Sequence, residues 1–194
     1  MNWKIFLKNV KSINCSEKLK TKLIEICKQF SKINEKSLRI EEASNKLGSF
    51  LISEDDSDYP YYWRMLSGMP RLVFGLGKRD LINTNIAGGA AIVGSRRCSN
   101  YSKVATVEIS GHLVNKGITI ISGMADGIDR VAHETALKQG GKTIAFLAGG
   151  VDNIYPWINK DIYEGIVQNG LILSEMPPGT KAVKQYFPSR NRLI

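Results

Sequence analysis

Apolar residues recur along this chain in two rhythms, and the change from one to the other divides it. Leu19, Leu23, Ile26, Phe30 and Ile33 stand four and three apart, one face of a helix. Ser16 is placed to cap its start. The opening run, Met1-Asn-Trp-Lys-Ile-Phe-Leu-Lys8, reads as a further amphipathic helix, and a weaker helical pattern covers Glu41 to Leu47 before Gly48. Two or three short helices are therefore expected to form a small bundle, with the apolar stripe as its core. Glu54-Asp-Asp-Ser-Asp58 then reads as an acidic linker, and Tyr59-Pro60 favours extended chain.

Beyond it the pattern becomes short apolar runs separated by helices. Strands are predicted at Leu72–Phe74, Ala90–Val93, Ile118–Ile121, Thr143–Leu147 and Leu171–Leu173, the first ended by Gly75 and Gly77. Helices are predicted at about 102–115, 129–138 and 160–168. Continuous apolar strands alternating with helices imply a parallel sheet covered on both faces, an α/β, doubly wound, Rossmann-like domain. The expected division is a helical domain over 1–55 and the α/β domain over 56–194.

Such sheets bind ligands beyond the carboxyl ends of their strands. Here those ends read Gly94-Ser95-Arg96, Ser122-Gly123, Gly149-Gly150 and Ser174-Glu175. Glycine admits a ligand to the backbone, helix N-termini suit phosphate, and Arg96 and Arg97 add charged donors. Strand-to-helix turns also favour Gly and Ser for conformational reasons alone, so the turns leave a phosphate site and a purely structural role both open.

Charge sharpens this. The 194 residues carry 27 Lys+Arg against 18 Asp+Glu, a net of +9. Residues 1–58 hold 11 basic and 9 acidic side chains, leaving a net of +7 to the remainder. A surplus of this size, borne mostly by the α/β part, makes nucleic acid the first partner to consider, with a generally solvated basic surface as the alternative. No apolar run approaches the ~20 residues of a membrane span. Three unrelated cysteines imply no disulfide framework, and a cytoplasmic protein is expected. His112 and His133 lack nearby soft ligands, so no metal is expected.

Other chemistries fit poorly. Gly140-Gly-Lys-Thr143 precedes a strand, whereas a phosphate-binding P-loop must follow one. Gly75-Leu-Gly77 has Asp80 where a dinucleotide fingerprint needs a small residue, and no cofactor is expected. Ser122, Asp129 and His133 lack the Gly-x-Ser-x-Gly elbow of a hydrolase. Asp129 and His133, four apart on one helix, are placed to pair with each other or to cap a turn. Asp126 and Asp129 read as turn and cap residues, and no catalytic residue is assigned.

Taken in order, the motifs Gly94-Ser-Arg96, Ser122-Gly-Met-Ala-Asp-Gly-Ile-Asp129 with Ala132-His133, Gly149 with Tyr155-Pro156 and Asn159, Ser174-Glu175, and Phe187-Pro-Ser-Arg-Asn-Arg192 resemble the DNA-processing protein A (DprA/Smf) family. Asp58-Tyr-Pro60, Pro70, Gly75 and Gly77 match its approach to the sheet. The resemblance covers about 56–194, and the segment before it resembles the family's variable N-terminal domain, of SAM or helix-hairpin type, only in kind. It implies a non-enzymatic protein that binds single-stranded DNA, protects incoming strands during natural transformation and passes them to the RecA recombinase. Arg96 aligns with the family's DNA-contacting arginine, and Asn159, Arg190, Asn191 and Arg192 with positions around the same pocket. The expected DNA-binding set is Gly94, Ser95, Arg96, Ser122, Gly123, Trp157, Asn159, Lys160, Phe187, Arg190, Asn191 and Arg192.

Two departures stand out. Trp157 occupies a position that is often basic in the family, which exchanges a phosphate contact for a base-stacking platform or for buried packing; Lys160 is placed to compensate. The chain also stops at Ile194, short of the family's further strands, which suggests truncation, weaker DNA binding and a homodimer deprived of its usual contacts. The same superfamily leaves two alternatives: a nucleotide-sensing module, and a phosphoribohydrolase-like enzyme, whose Pro-Gly-Gly-x-Gly-Thr pattern Ala148-Gly-Gly-Val151 does not reproduce. A docking module for a recombinase is a third.

Overall fold

The structure, a computed structural model, describes residues 17–82 and 88–194. The expected N-terminal amphipathic helix and the Ser16 cap lie outside the described residues. The chain forms two compact units, Met1–Ala43 and Ser44–Ile194. The two helical patterns expected within 17–47 form one continuous helix, α1, Glu17–Leu47. No Gly or Pro interrupts those residues, so the backbone hydrogen-bond ladder need not break. It ends at Gly48, whose φ of 71° is the left-handed conformation that closes a helix.

The second unit is built on a six-stranded sheet in the order β1-β2-β6-β5-β4-β3. The strands are β1 (Phe50–Ser53), β2 (Leu72–Gly77), β3 (Gly89–Ala91), β4 (Thr119–Ser122), β5 (Thr143–Phe146) and β6 (Leu171–Ser174). Helices α2 (Tyr61–Met65), α3 (Asn100–Asn115), α4 (Ile128–Lys138), α5 (Lys160–Asn169) and α6 (Tyr186–Asn191) complete it. The α/β, Rossmann-like class holds. β3 through β6 are mutually parallel. β2, however, pairs antiparallel with both β6 and β1, so the sheet is mixed and not wholly parallel. An apolar run marks a buried strand but carries no direction, which the connections set.

β1 was not anticipated, and it adds to the sheet residues that the sequence pattern assigned to the helical part. The acidic stretch after it is no linker. Asp56 accepts from the Ser53 amide at 2.8 Å, Glu54 pairs with Arg71, and Asp58 pairs with Arg79 at 2.6 Å. β2 runs through Gly75, over which the Phe50 ring lies where any Cβ would stand.

The strands alternate their side chains between two layers. One face carries Val73, Ile121, Ile144, Phe146, Leu171 and Leu173, closed over by Tyr59, Trp63, Leu81, Ile82 and Leu193. Trp63 lies 5.9 Å from the Phe146 ring, and Tyr59 donates to the Pro70 carbonyl at 2.6 Å. On the other face Ala132 and Ala136 let α4 approach Ile120 closely. There α3 packs on α4 and α4 on α5, as right-handed crossovers between strands advancing in one direction require. The carboxyl ends of β3, β4 and β5 consequently open along one edge. No described helix is long and apolar enough to cross a membrane.

Candidate functional site

At the end of β4 the chain turns through Gly123, Met124 and Ala125. The Asp129 carboxylate, from the first turn of α4, accepts from the amides of Gly123 at 3.2 Å and Ala125 at 3.3 Å. Asp129 is thus the turn anchor expected of it and does not bond His133. Met124 is buried at φ 59°, a strained conformation for a residue with a side chain.

The turn after β3 is pressed against the start of α4. Ile128 donates its amide to the Ser95 carbonyl at 3.3 Å, and Gly127 (φ 80°) lies so close to Ser95 and Arg96 that a Cβ there would meet the Arg96 carbonyl oxygen at 2.8 Å. Gly94 is needed in the same way, because a Cβ would stand 2.7 Å from Ile128 Cγ1. These glycines answer to packing between protein segments. Ser95 shapes the turn through its hydroxyl, which donates to the Arg97 carbonyl at 2.9 Å and accepts from the Arg97 amide at 3.1 Å. The arginine side chains are left exposed.

Arg96 places its guanidinium 5.4 Å from the centre of the Phe187 ring. Tyr155 meets Phe187 edge-on at 5.6 Å. Clefts open around Arg96. One, of about 370 Å³, is lined by Val93, Gly94, Asp129, Arg190 and Asn191; a second, of about 220 Å³, by Arg97, Gly123, Asp126, Tyr155 and Phe187; a third, of about 460 Å³, by Arg97, Lys103, Asp126, Arg130 and Glu134. Arg71, Arg79, Arg130 and Arg192 are paired with Glu54, Asp58, Asp161 and Glu175. Among the described residues no carboxylate pairs with Arg96 or Arg97. Cation charge therefore remains available where the strand ends meet the aromatic rings.

Several expected contact residues are occupied elsewhere. Ser122 is fully buried and donates to the Ile92 carbonyl at 2.6 Å. Arg190 is buried beneath the clefts, its Nη1 donating to the carbonyls of Gly123 and Phe146 and its Nε to Asn191 Oδ1. Burial lowers its pKa, Asp129 opposes that shift, and Arg96 adds to it. Arg192 is held by Glu175. Asn159, fully buried, donates to the Met124 carbonyl at 2.9 Å and accepts from Arg130 Nη1 at 3.0 Å. It fixes the short 3-10 helix Trp157–Asn159, from which Trp157 projects, 67% exposed. The Lys160 ammonium lies 5.4 Å from the Trp157 ring and 3.4 Å from Glu164.

Tyr155 and Arg130 were not among the expected contact residues, and Arg97 was expected only as a charged donor at the turn after β3. Tyr155 stood in a quoted motif, and Arg97 beside Arg96, but Arg130 gave no local signal; its role comes from Asn159 and Asp161, 29 and 31 residues away. His133 is wholly buried, with Nδ1 2.7 Å from Thr143 Oγ1, which itself donates to the Ile120 carbonyl. Thr143 accordingly accepts from Nδ1–H, and Nε2 has no partner. Among the described residues no three His, Cys, Asp or Glu side chains group as metal ligands.

A mixed sheet with parallel strands β3 to β6, and with arginines and aromatic rings beyond its strand ends, places the chain among the α/β, Rossmann-like domains. The sequence profile described as DNA recombination-mediator protein A matches residues 50–194, and the chain belongs to that family. It is 41% identical to protein Smf of Synechocystis over 80% of this chain and 39% of that protein. It is 40% identical to the DNA processing protein DprA of Streptococcus pneumoniae over 77% and 51% of the two chains. The crystal structure of the S. pneumoniae protein superposes with a TM-score of 0.68 at 38% identity, over 74% of this chain and 50% of that one. DNA processing protein A of Helicobacter pylori, a structure described for its single-stranded DNA binding mode, superposes at 0.63 with 32% identity, over 75% and 64%. The chain spans about half the length or less of these curated relatives.

Proposed function

We propose that this chain binds single-stranded DNA along the strand ends around Arg96, without catalysing a reaction. The observation that carries this is the pair of exposed arginines, Arg96 and Arg97, with no carboxylate partner among the described residues, Arg96 lying over Phe187 and lining the clefts around it. Such cations attract phosphates, while aromatic faces accept unstacked bases whatever their sequence. The membership of the family and the likeness to the H. pylori protein support the same partner. In this reading the protein acts in the cytoplasm on DNA entering during natural transformation, protects the strand and helps load a RecA recombinase. A homodimer is part of the same proposal.

Gly94, Ser95 and Gly123 serve by shaping the surface, Arg96, Trp157, Lys160 and Phe187 by touching the strand. Asn159 and Arg190 hold that surface in place from behind, Asn191 is exposed on the wall of one cleft, Arg192 is held by Glu175, and Ser122 belongs to the sheet. The test is titration of a fluorescent oligonucleotide at two salt concentrations, alongside mononucleotides. Binding should weaken strongly with salt, and Arg96→Ala should remove most of it. A preference for the mononucleotide, or undiminished affinity in Arg96→Ala, would overturn the proposal in favour of a nucleotide-sensing site or another surface.

A further inference from the structure

We infer that Trp157 is a base-stacking platform, and that it makes part of the binding of this chain depend on bases and not on phosphates. The inference rests on the single-stranded DNA reading above and assigns a second contact point within it. Trp157 is 67% exposed, and its neighbours Tyr155 and Ile158 are exposed too, at 50% and 70%. A loop that only packed its tryptophan would bury it, as Trp63 is buried at 5%.

The turn carrying Trp157 is nevertheless rigidly seated. Asn159, two residues on, is fully buried and tied to the Met124 carbonyl and to Arg130, and Arg130 is in turn clamped by both oxygens of Asp161. A large flat ring on a fixed support forfeits little conformational freedom when a base settles on it. The Lys160 ammonium lies over one side of the ring, 5.4 Å from its centre, and shares its charge with Glu164 at 3.4 Å. The Tyr155–Phe187–Arg96 group repeats the combination of ring and cation, and Tyr155 is two residues from Trp157. Two ring-and-cation pairs joined by one short loop suit a strand whose bases lie on the rings and whose phosphates pass the cations.

The experiment uses the full chain with three ligands: a single-stranded oligonucleotide, an abasic oligonucleotide of the same length, and the matching duplex. Trp157→Ala should weaken binding of the single strand by roughly fivefold to a hundredfold, the range of one lost stacking contact, and Trp157→Phe should retain most of it. Neither change should alter binding of the abasic strand. Trp157→Lys should bind the abasic strand more tightly than the parent and steepen the log–log salt dependence by about 0.7. The duplex, whose bases are already stacked, should be indifferent to Trp157→Ala and Trp157→Phe, whereas Trp157→Lys should bind it more tightly through its phosphates. If Trp157→Ala binds the single strand as the parent does while Arg96→Ala does not, the stacking inference fails and the DNA reading survives. If the parent binds neither strand, both fail together.

Discussion

Arg190 donates to the carbonyl oxygen of Gly123 at 2.5 Å, joining the last helix of the chain to the end of β4, 67 residues earlier in sequence. The same nitrogen reaches the Phe146 carbonyl at the end of β5. A residue expected to touch DNA thus acts as a clamp inside the fold, closing the edge along which the clefts lie. Arg190→Ala leaves two buried carbonyls without a donor and should cost about 2–4 kcal/mol of stability, read from urea unfolding. An Arg190→Ala protein as stable as the parent would show the clamp to be dispensable.

Asn159 holds the Trp157 turn against Met124. Asn159→Ala removes a donor from a buried carbonyl and should destabilise by about 1–3 kcal/mol. Because Trp157 then loses its fixed support, single-strand affinity should fall as well, in conditions where the variant remains fully folded. Undisturbed affinity in such conditions would separate the turn from binding.

Gly127 admits the backbone of Ser95 and Arg96 to the start of α4. Gly127→Ala places a methyl group against both carbonyls at a positive φ, with an expected cost of about 1–3 kcal/mol. The turn must shift to relieve it, so Arg96 moves from Phe187 and oligonucleotide affinity drops. Calorimetric unfolding and a binding titration on one sample would test the two effects together.

His133 makes stability depend on pH. Its burial, with Arg190 nearby, holds its pKa down at about 3, against an ordinary value near 6.5. Between these values the unfolded chain takes up a proton that the folded one refuses, so stability falls as pH falls below about 6.5, by up to roughly 1.4 kcal/mol per pH unit. From pH 6.5 to 5 the loss should be about 1.5 kcal/mol in the parent and absent in a folded His133→Gln protein. Asp58 and Asp161, whose pKa values are lowered by Arg79 and Arg130, lose their contribution only at lower pH, as they protonate below about 3.8. Equal slopes for the parent and His133→Gln between pH 6.5 and 5 would remove His133 as the cause.

How legible the site was differs from residue to residue. The turns after the strands were visible because Gly and Ser punctuate apolar runs, and Arg96 stood out as a charge within such a turn. The burial of Ser122, Asn159 and Arg190 was not visible, since a polar residue in a motif looks the same whether it faces a ligand or a neighbouring carbonyl. Ser122 finds Ile92 across 30 residues and Asn159 finds Met124 across 35. Partners that distant leave no trace in local spacing.

The sequence by itself determined where β2 through β6 lie, that glycines and serines mark the ends of the strands, and where the basic surplus falls. Each is a local property: apolar runs seek burial, glycine permits close turns, and charge adds along the chain. Only the tertiary structure decided that β2 runs against its neighbours, that β1 joins the sheet, and that α1 is one helix. It also decided which cations are available to a ligand, because Arg71, Arg79, Arg130 and Arg192 meet carboxylates from other segments whereas Arg96 and Arg97 do not. A charge is readable from composition, but its neutralisation is a matter of what the fold brings within hydrogen-bond reach.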